Sequence, residues 1–150
     1  MSERDDQIRS WSVEKLELLR KYLEAYVSVL RKQPWCMGYE YIDGFAGTGR
    51  AKTKEEQKYV DGSPRIALGL SSPFTKYHFI ECSSWRIDRL RGLQTEFPGR
   101  TIEIYPGDCN SVITSSIVPT LPWASHKRAI AFLDPFDQQR VHRPHYRVNA

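Results

Sequence analysis

Four carboxylic acids each close an apolar run. Asp43 ends GYEYID, Glu81 ends KYHFIE, Asp108 ends TIEIYPGD, and Asp134 ends RAIAFLD and opens the turn Asp134-Pro135-Phe136. Directly behind the first acid, Gly44, Gly47 and Gly49 are spaced G-x-x-G-x-G. An acid after a strand most simply caps the next helix. Four in succession on one rim suit a ligand rich in hydrogen-bond donors.

The glycine spacing is not the G-x-G-x-x-G of dinucleotide binding, and the next helix starts well downstream, so a pyrophosphate on its N-terminus is not expected. No G-K-[ST] follows, which excludes a P-loop. S-adenosyl-L-methionine fits such a rim: its amino-acid end carries an ammonium, its ribose two hydroxyls and its adenine an amine. Glycines let the backbone approach where a Cβ would obstruct it. Glu81 is placed for the ribose, Asp108 for the adenine amine, and Asp43 for holding the loop or meeting the ammonium through water. Asp134, Pro135 and Phe136 would carry the transfer. An oxygen accepting from a target amine turns the nitrogen lone pair toward the methyl group, and Phe136 either stacks on a planar substrate or is a buried strand-terminal ring.

The elements that must position these groups read clearly. Residues 13 to 32 place Leu16, Leu19, Leu23, Tyr26, Val27 and Leu30 on one helical stripe, with Ser12 as N-cap, Glu14 at the positive end, and Arg31 and Lys32 at the other. Strands are expected at 38–43, 76–81, 101–108 and 128–136. A short helix begins at Ser63-Pro64, another of about fourteen residues near Ser83-Ser84, and a third covers 109–117. The polar stretch 50–62 reads as a solvated loop. Strands alternating with helices predict an α/β fold with a mostly parallel sheet and helices on both faces.

Composition fits one globular domain: 150 residues, 40% hydrophobic and 27% charged. No run approaches a membrane span, and the charged start lacks a signal-peptide core, so the expected location is cytoplasmic. The net charge of +4 owes most of its excess to Arg140, Arg143 and Arg147 in the last eleven residues, so it argues weakly for nucleic acid. Cys36, Cys82 and Cys109 are isolated and expected to be buried or half-buried thiols. His142 and His145, with Pro144 between them, read as a solvated tail rather than a metal site; His78 and His126 read as structural or exposed.

IDGFAGTGR, GSPRIALG, FIECS, PGDCNSVI and FLDPF, in this order and after a helix beginning WSVEKL, resemble the three-Cys-motif partner family over roughly residues 11–137. The resemblance implies a Rossmann-like, class I SAM-dependent methyltransferase fold. It implies that Asp43, Gly44, Phe45, Ala46, Gly47 and Gly49 form the cofactor loop, that Glu81 is the ribose acid and Asp108 the adenine-side acid. It makes Asp134, Pro135 and Phe136 a motif similar to the D-P-P-Y of amino methyltransferases. It also implies an association with a three-cysteine protein, but supplies no substrate; an amine of a nucleobase or another planar molecule is the acceptor expected from the fourth-strand motif itself. Asp137 replaces the glycine usual after the fourth-strand motif.

The expected organisation is an N-terminal extension (1–12), a partial methyltransferase-like domain (13–137) and an irregular basic tail (138–150). The composition shift after 137 suggests a truncated or frameshifted chain, inactive alone. The competing reading is a short protein completed by a second chain, pairing along an exposed fourth-strand edge. The alternative to an enzyme is a non-catalytic binding or assembly module.

Overall fold

The computed structural model describes residues 6–8, 10–53 and 59–134. The elements in chain order are β1 (Asp6–Ile8), α1 (Ser10–Leu30), β2 (Gly38–Asp43), β3 (Arg50–Thr53), β4 (Tyr59–Asp61), α2 (Ser63–Leu68), β5 (Lys76–Glu81), α3 (Ser84–Glu96), β6 (Ile102–Pro106), α4 (Cys109–Val112) and β7 (Lys127–Phe132). Between α4 and β7 the chain runs through a π-helical turn, Ile113–Ile117, and two 3-10 turns, Val118–Thr120 and Trp123–Ser125.

β6, β5, β2 and β7 form one sheet in that order, and every neighbouring pair is parallel. Numbered as the four expected strands, this is the order 3-2-1-4, so the α/β fold read from the alternation of elements is the observed one. Parallel neighbours require crossovers, and the helices of those crossovers cover the two faces. On one face, Leu19, Leu23 and Val27 of α1 and Leu90 and Leu93 of α3 join Tyr41, Tyr77, Phe79 and Ile102 in the main core. On the other, Ile42 and Ile80 pack against Ile117, with Val112 and Ile113 at its margin. The strand period of two separates the sets.

That second face also carries a polar chain, buried at Glu40 and His78 and open to solvent at Glu103. His78 Nε2 lies 2.6 Å from Glu40 Oε1 and its Nδ1 2.8 Å from the Tyr105 hydroxyl, which donates to Glu103 Oε2 at 2.7 Å. Burial holds the His78 imidazole below its ordinary value, and the hydrogen bond to Glu40 opposes that shift.

The stretch expected as a loop is instead the second, smaller sheet. β3 pairs antiparallel with β4, and β1 lies parallel along β3. Its backbone groups satisfy one another without an apolar face for the sequence to display, which is why periodicity missed it. Helix boundaries also moved. α1 starts at Ser10, so Ser12 lies inside it and its first turn holds no acid. α2 is capped by Gly62 rather than Ser63. Residues 138–150, with His142 and His145, lie outside the described residues. No helix among the described residues is long and apolar enough to cross a membrane.

Candidate functional site

The four expected acids arrive at the carboxyl ends of the parallel strands. In register, Asp43 of β2 stands beside Phe79 of β5 and Phe132 of β7, while Glu81 stands beside Pro106 of β6. Glu81 and Asp134 each lie two residues beyond that Asp43 level, and Asp108 lies two beyond Pro106. Asp43 is therefore the deepest of the set and the others form the rim.

Asp43 is fully buried. It accepts from the Tyr41 hydroxyl at 2.9 Å and from the Phe45 amide at 3.3 Å. Burial pushes its carboxyl up to about 6; hydrogen bonds from Ser63, Tyr41 and the Phe45 amide oppose this, and nearby Glu81 adds to it. Burial likewise raises the Tyr41 hydroxyl well above its ordinary value. Asp43 is thus the anchor of the glycine loop, the first of the two roles expected for it.

The loop is bolted across three strands. The Gly44 amide donates to Phe132 O and the Ala46 amide to Ile80 O, both at 3.0 Å, and the Gly47 amide donates to Glu81 Oε1 at 3.1 Å. Every amide from Gly44 to Gly47 is therefore spent inside the protein, which leaves that stretch unable to cradle a phosphate. A Cβ on Gly44 would stand 2.5 Å from Leu133 Cδ2 and 2.6 Å from Cys109 Sγ. Gly47 and Gly49 have φ of 68° and 84°, where side chains are disfavoured.

Glu81 is buried and occupied. Besides Gly47 it accepts from the Ser83 amide at 2.8 Å, and it sits against the Cys82 thiol. Its observed work is to clamp the loop to the start of α3. Asp108 is exposed and caps α4, accepting from the Ser111 amide at 3.0 Å. Asp134 pairs with Lys15 of α1, Nζ to Oδ2 at 3.1 Å. Pro135 and Phe136 lie outside the described residues.

Cys82 is exposed rather than buried as expected, and it stands beside Glu81 on the rim. Burial, then the neighbouring carboxylate, raises its thiol, so it is not an activated nucleophile. Cys109 is buried and pushed up to about 11. Among the described residues no cluster of three or more His, Cys, Asp and Glu is arranged to hold a metal ion.

S-adenosylmethionine can be tested against this donor set. Its ammonium, ribose hydroxyls and adenine amine can donate, and the rim supplies carboxylate acceptors while the amides of Gly44 to Gly47 are already used. Asp108 and Asp134 are the accessible acceptors; Glu81 would have to share oxygens it already uses. Lys15 and Leu133 were not singled out in the sequence, and Ser63 was read only as the start of a helix, not as a partner of Asp43. Lys15 directly precedes Leu16, beside the apolar stripe of α1 rather than in it, and that adjacency is the one sign that it would lie near the sheet.

No family model and no curated protein matches the chain. The fold is similar to the crystal structure of protein LPL1258 from Legionella pneumophila str. Philadelphia 1, of the family model DUF519. The TM-score is 0.60 at 14% identity, over 85% of this chain and 57% of that one. At that identity the likeness concerns the fold alone, and this chain spans little more than half the length of that neighbour.

Proposed function

We propose that this chain is the cofactor-binding part of a Rossmann-like, SAM-dependent methyltransferase of the three-Cys-motif partner kind. One observation carries the reading. The glycine loop spends its amides internally while the strand ends around it carry carboxylates, so the rim favours a cationic ligand rich in donors over a phosphate ester. S-adenosylmethionine would supply a methyl group on a cationic sulfur. Asp108 would accept from the adenine amine, Glu81 from the ribose, and Asp43 would keep the loop in place beneath them. Asp134, held on the rim by Lys15, would accept from the amine of a nucleobase or another planar acceptor.

The test is a calorimetric titration of the chain with S-adenosylmethionine, beside Asp108→Ala. Asp108 is exposed, so its removal costs a helix cap and little else. Saturable binding that Asp108→Ala weakens supports the proposal. A chain folded by circular dichroism that binds nothing overturns it.

The alternative, a non-catalytic assembly module working with a three-cysteine protein, is favoured by a different observation. Leu18 and Tyr22 on α1 are each 65% exposed and line an open groove of about 370 Å³ with Ile130 and Phe132 of β7. Loss of partner capture on Tyr22→Ser, with S-adenosylmethionine binding absent, would select this reading.

A further inference from the structure

At the other end of the sheet, the amino ends of β2 and β7 bring together two segments far apart in the chain. Residues 31–38 and 121–132 hold Arg31, Lys32, His126, Lys127 and Arg128, two of the chain's four tryptophans, and no acid. Strand pairing makes the juxtaposition: Gly38 stands beside Lys127, Tyr39 beside Arg128, and the Met37 amide donates to His126 O at 2.9 Å. The Arg128 guanidinium lies over both indoles, 4.8 Å from the Trp35 ring and 3.7 Å from the Trp123 ring. Yet Trp123 remains 79% exposed, Met37 70% and Trp35 43%.

Stability does not account for this cluster. A cation over an exposed indole contributes little to folding, and a ring left four-fifths in water contributes little to the core. Large exposed rings beside cations, with no acid in either segment, are instead the composition of a surface for single-stranded nucleic acid. Indole faces stack on bases of any sequence, and the cations neutralise phosphates. A guanidinium stacked on a ring still presents N–H groups at its edge, and Arg128 uses one on Lys127 O at 2.8 Å.

Other occupants answer the cluster less well. A second copy of this chain would bring the same cations against themselves. An acidic peptide would meet the charge and leave the rings unused, and a duplex hides its base faces.

We propose that the face formed by Trp35, Trp123, Lys32, Lys127 and Arg128 binds single-stranded nucleic acid, with Trp123 as the principal stacking platform. The surface does not depend on the cofactor reading. It lies at the far end of β2, a strand of six residues, so about 20 Å from the rim.

The experiment follows the fluorescence anisotropy of a labelled oligothymidylate of about ten nucleotides on titration with the intact chain at low salt. Expected are a dissociation constant of about 100 μM or tighter, weakening steeply with salt, and a loss of about tenfold or more on Trp123→Ala. Trp123→Phe, which keeps a stacking ring, should recover most of that loss, and Lys127→Ala should lower the salt slope by about one. Four outcomes overturn the proposal: no binding by a chain that circular dichroism shows folded; binding that Trp123→Ala leaves unchanged; binding that polyglutamate displaces as well as unlabelled oligonucleotide; and self-association in sedimentation that Trp123→Ala abolishes, which would make the face a protein interface. S-adenosylmethionine is absent from every arm, so failure here leaves the cofactor proposal standing.

Discussion

Lys15 in the second turn of α1 and Asp134 just beyond β7 are 119 residues apart in sequence and meet at 3.1 Å. The pair ties the first helix to the last described strand at the edge of the sheet, next to the loop that Asp43 anchors. Their side chains are 43% and 25% exposed, so water screens the attraction. A double-mutant cycle with Lys15→Ala and Asp134→Ala, read by urea unfolding, should give a coupling of about 0.2–1 kcal/mol. A coupling of several kcal/mol would mean the pair is far less hydrated than its exposure implies.

Gly44 should tolerate no side chain. A Cβ would come within 2.6 Å of both Leu133 and Cys109, and forcing a methyl into such a space costs about 1–3 kcal/mol. Gly44→Ala should lower the urea midpoint accordingly, and adding Leu133→Ala should recover part of the loss. Equal stability of wild type and Gly44→Ala would contradict the packing.

Glu81 should behave as a clamp. Glu81→Gln keeps one acceptor oxygen but aims an amide donor at one of two backbone amides, those of Gly47 and Ser83. A buried group left unsatisfied costs about 1–3 kcal/mol. Hydrogen exchange should accelerate at Ala46 and Gly47 more than in β5. A uniform change across the domain would argue against a local clamp.

Asp43 should impose a pH dependence of defined sign. Its carboxyl rises from 3.8 to about 6 on folding, so the folded chain holds the proton more tightly than the unfolded one. Stability is then greatest below about pH 4 as far as this group is concerned, and is lost as the pH rises through about 6, by up to about 3 kcal/mol. Asp43→Asn should flatten that part of the profile. Parallel wild-type and variant curves between pH 4 and 7 would rule out the shift.

Much of this molecule was legible in its sequence because periodicity and strand ends are local properties. The stripe Leu16, Leu19, Leu23, Val27 announced α1, and four apolar runs closing on acids announced the four parallel strands and their common rim. Gly44, Gly47 and Gly49 announced a loop under steric constraint. What each acid does was decided in three dimensions. Asp43, Glu81, Asp108 and Asp134 look alike as strand-end carboxylates, yet one is a buried anchor, one a clamp, one an exposed helix cap and one half of an ion pair. Those differences come from depth and from partners such as Ser63, Gly47 and Lys15 that lie elsewhere in the chain. The β1–β3–β4 sheet was invisible for a related reason: backbone pairing alone writes no hydrophobic pattern. The Trp35–Arg128–Trp123 stack exists only because β2 and β7 are neighbours, a fact that belongs to the strand order and to no segment of the chain.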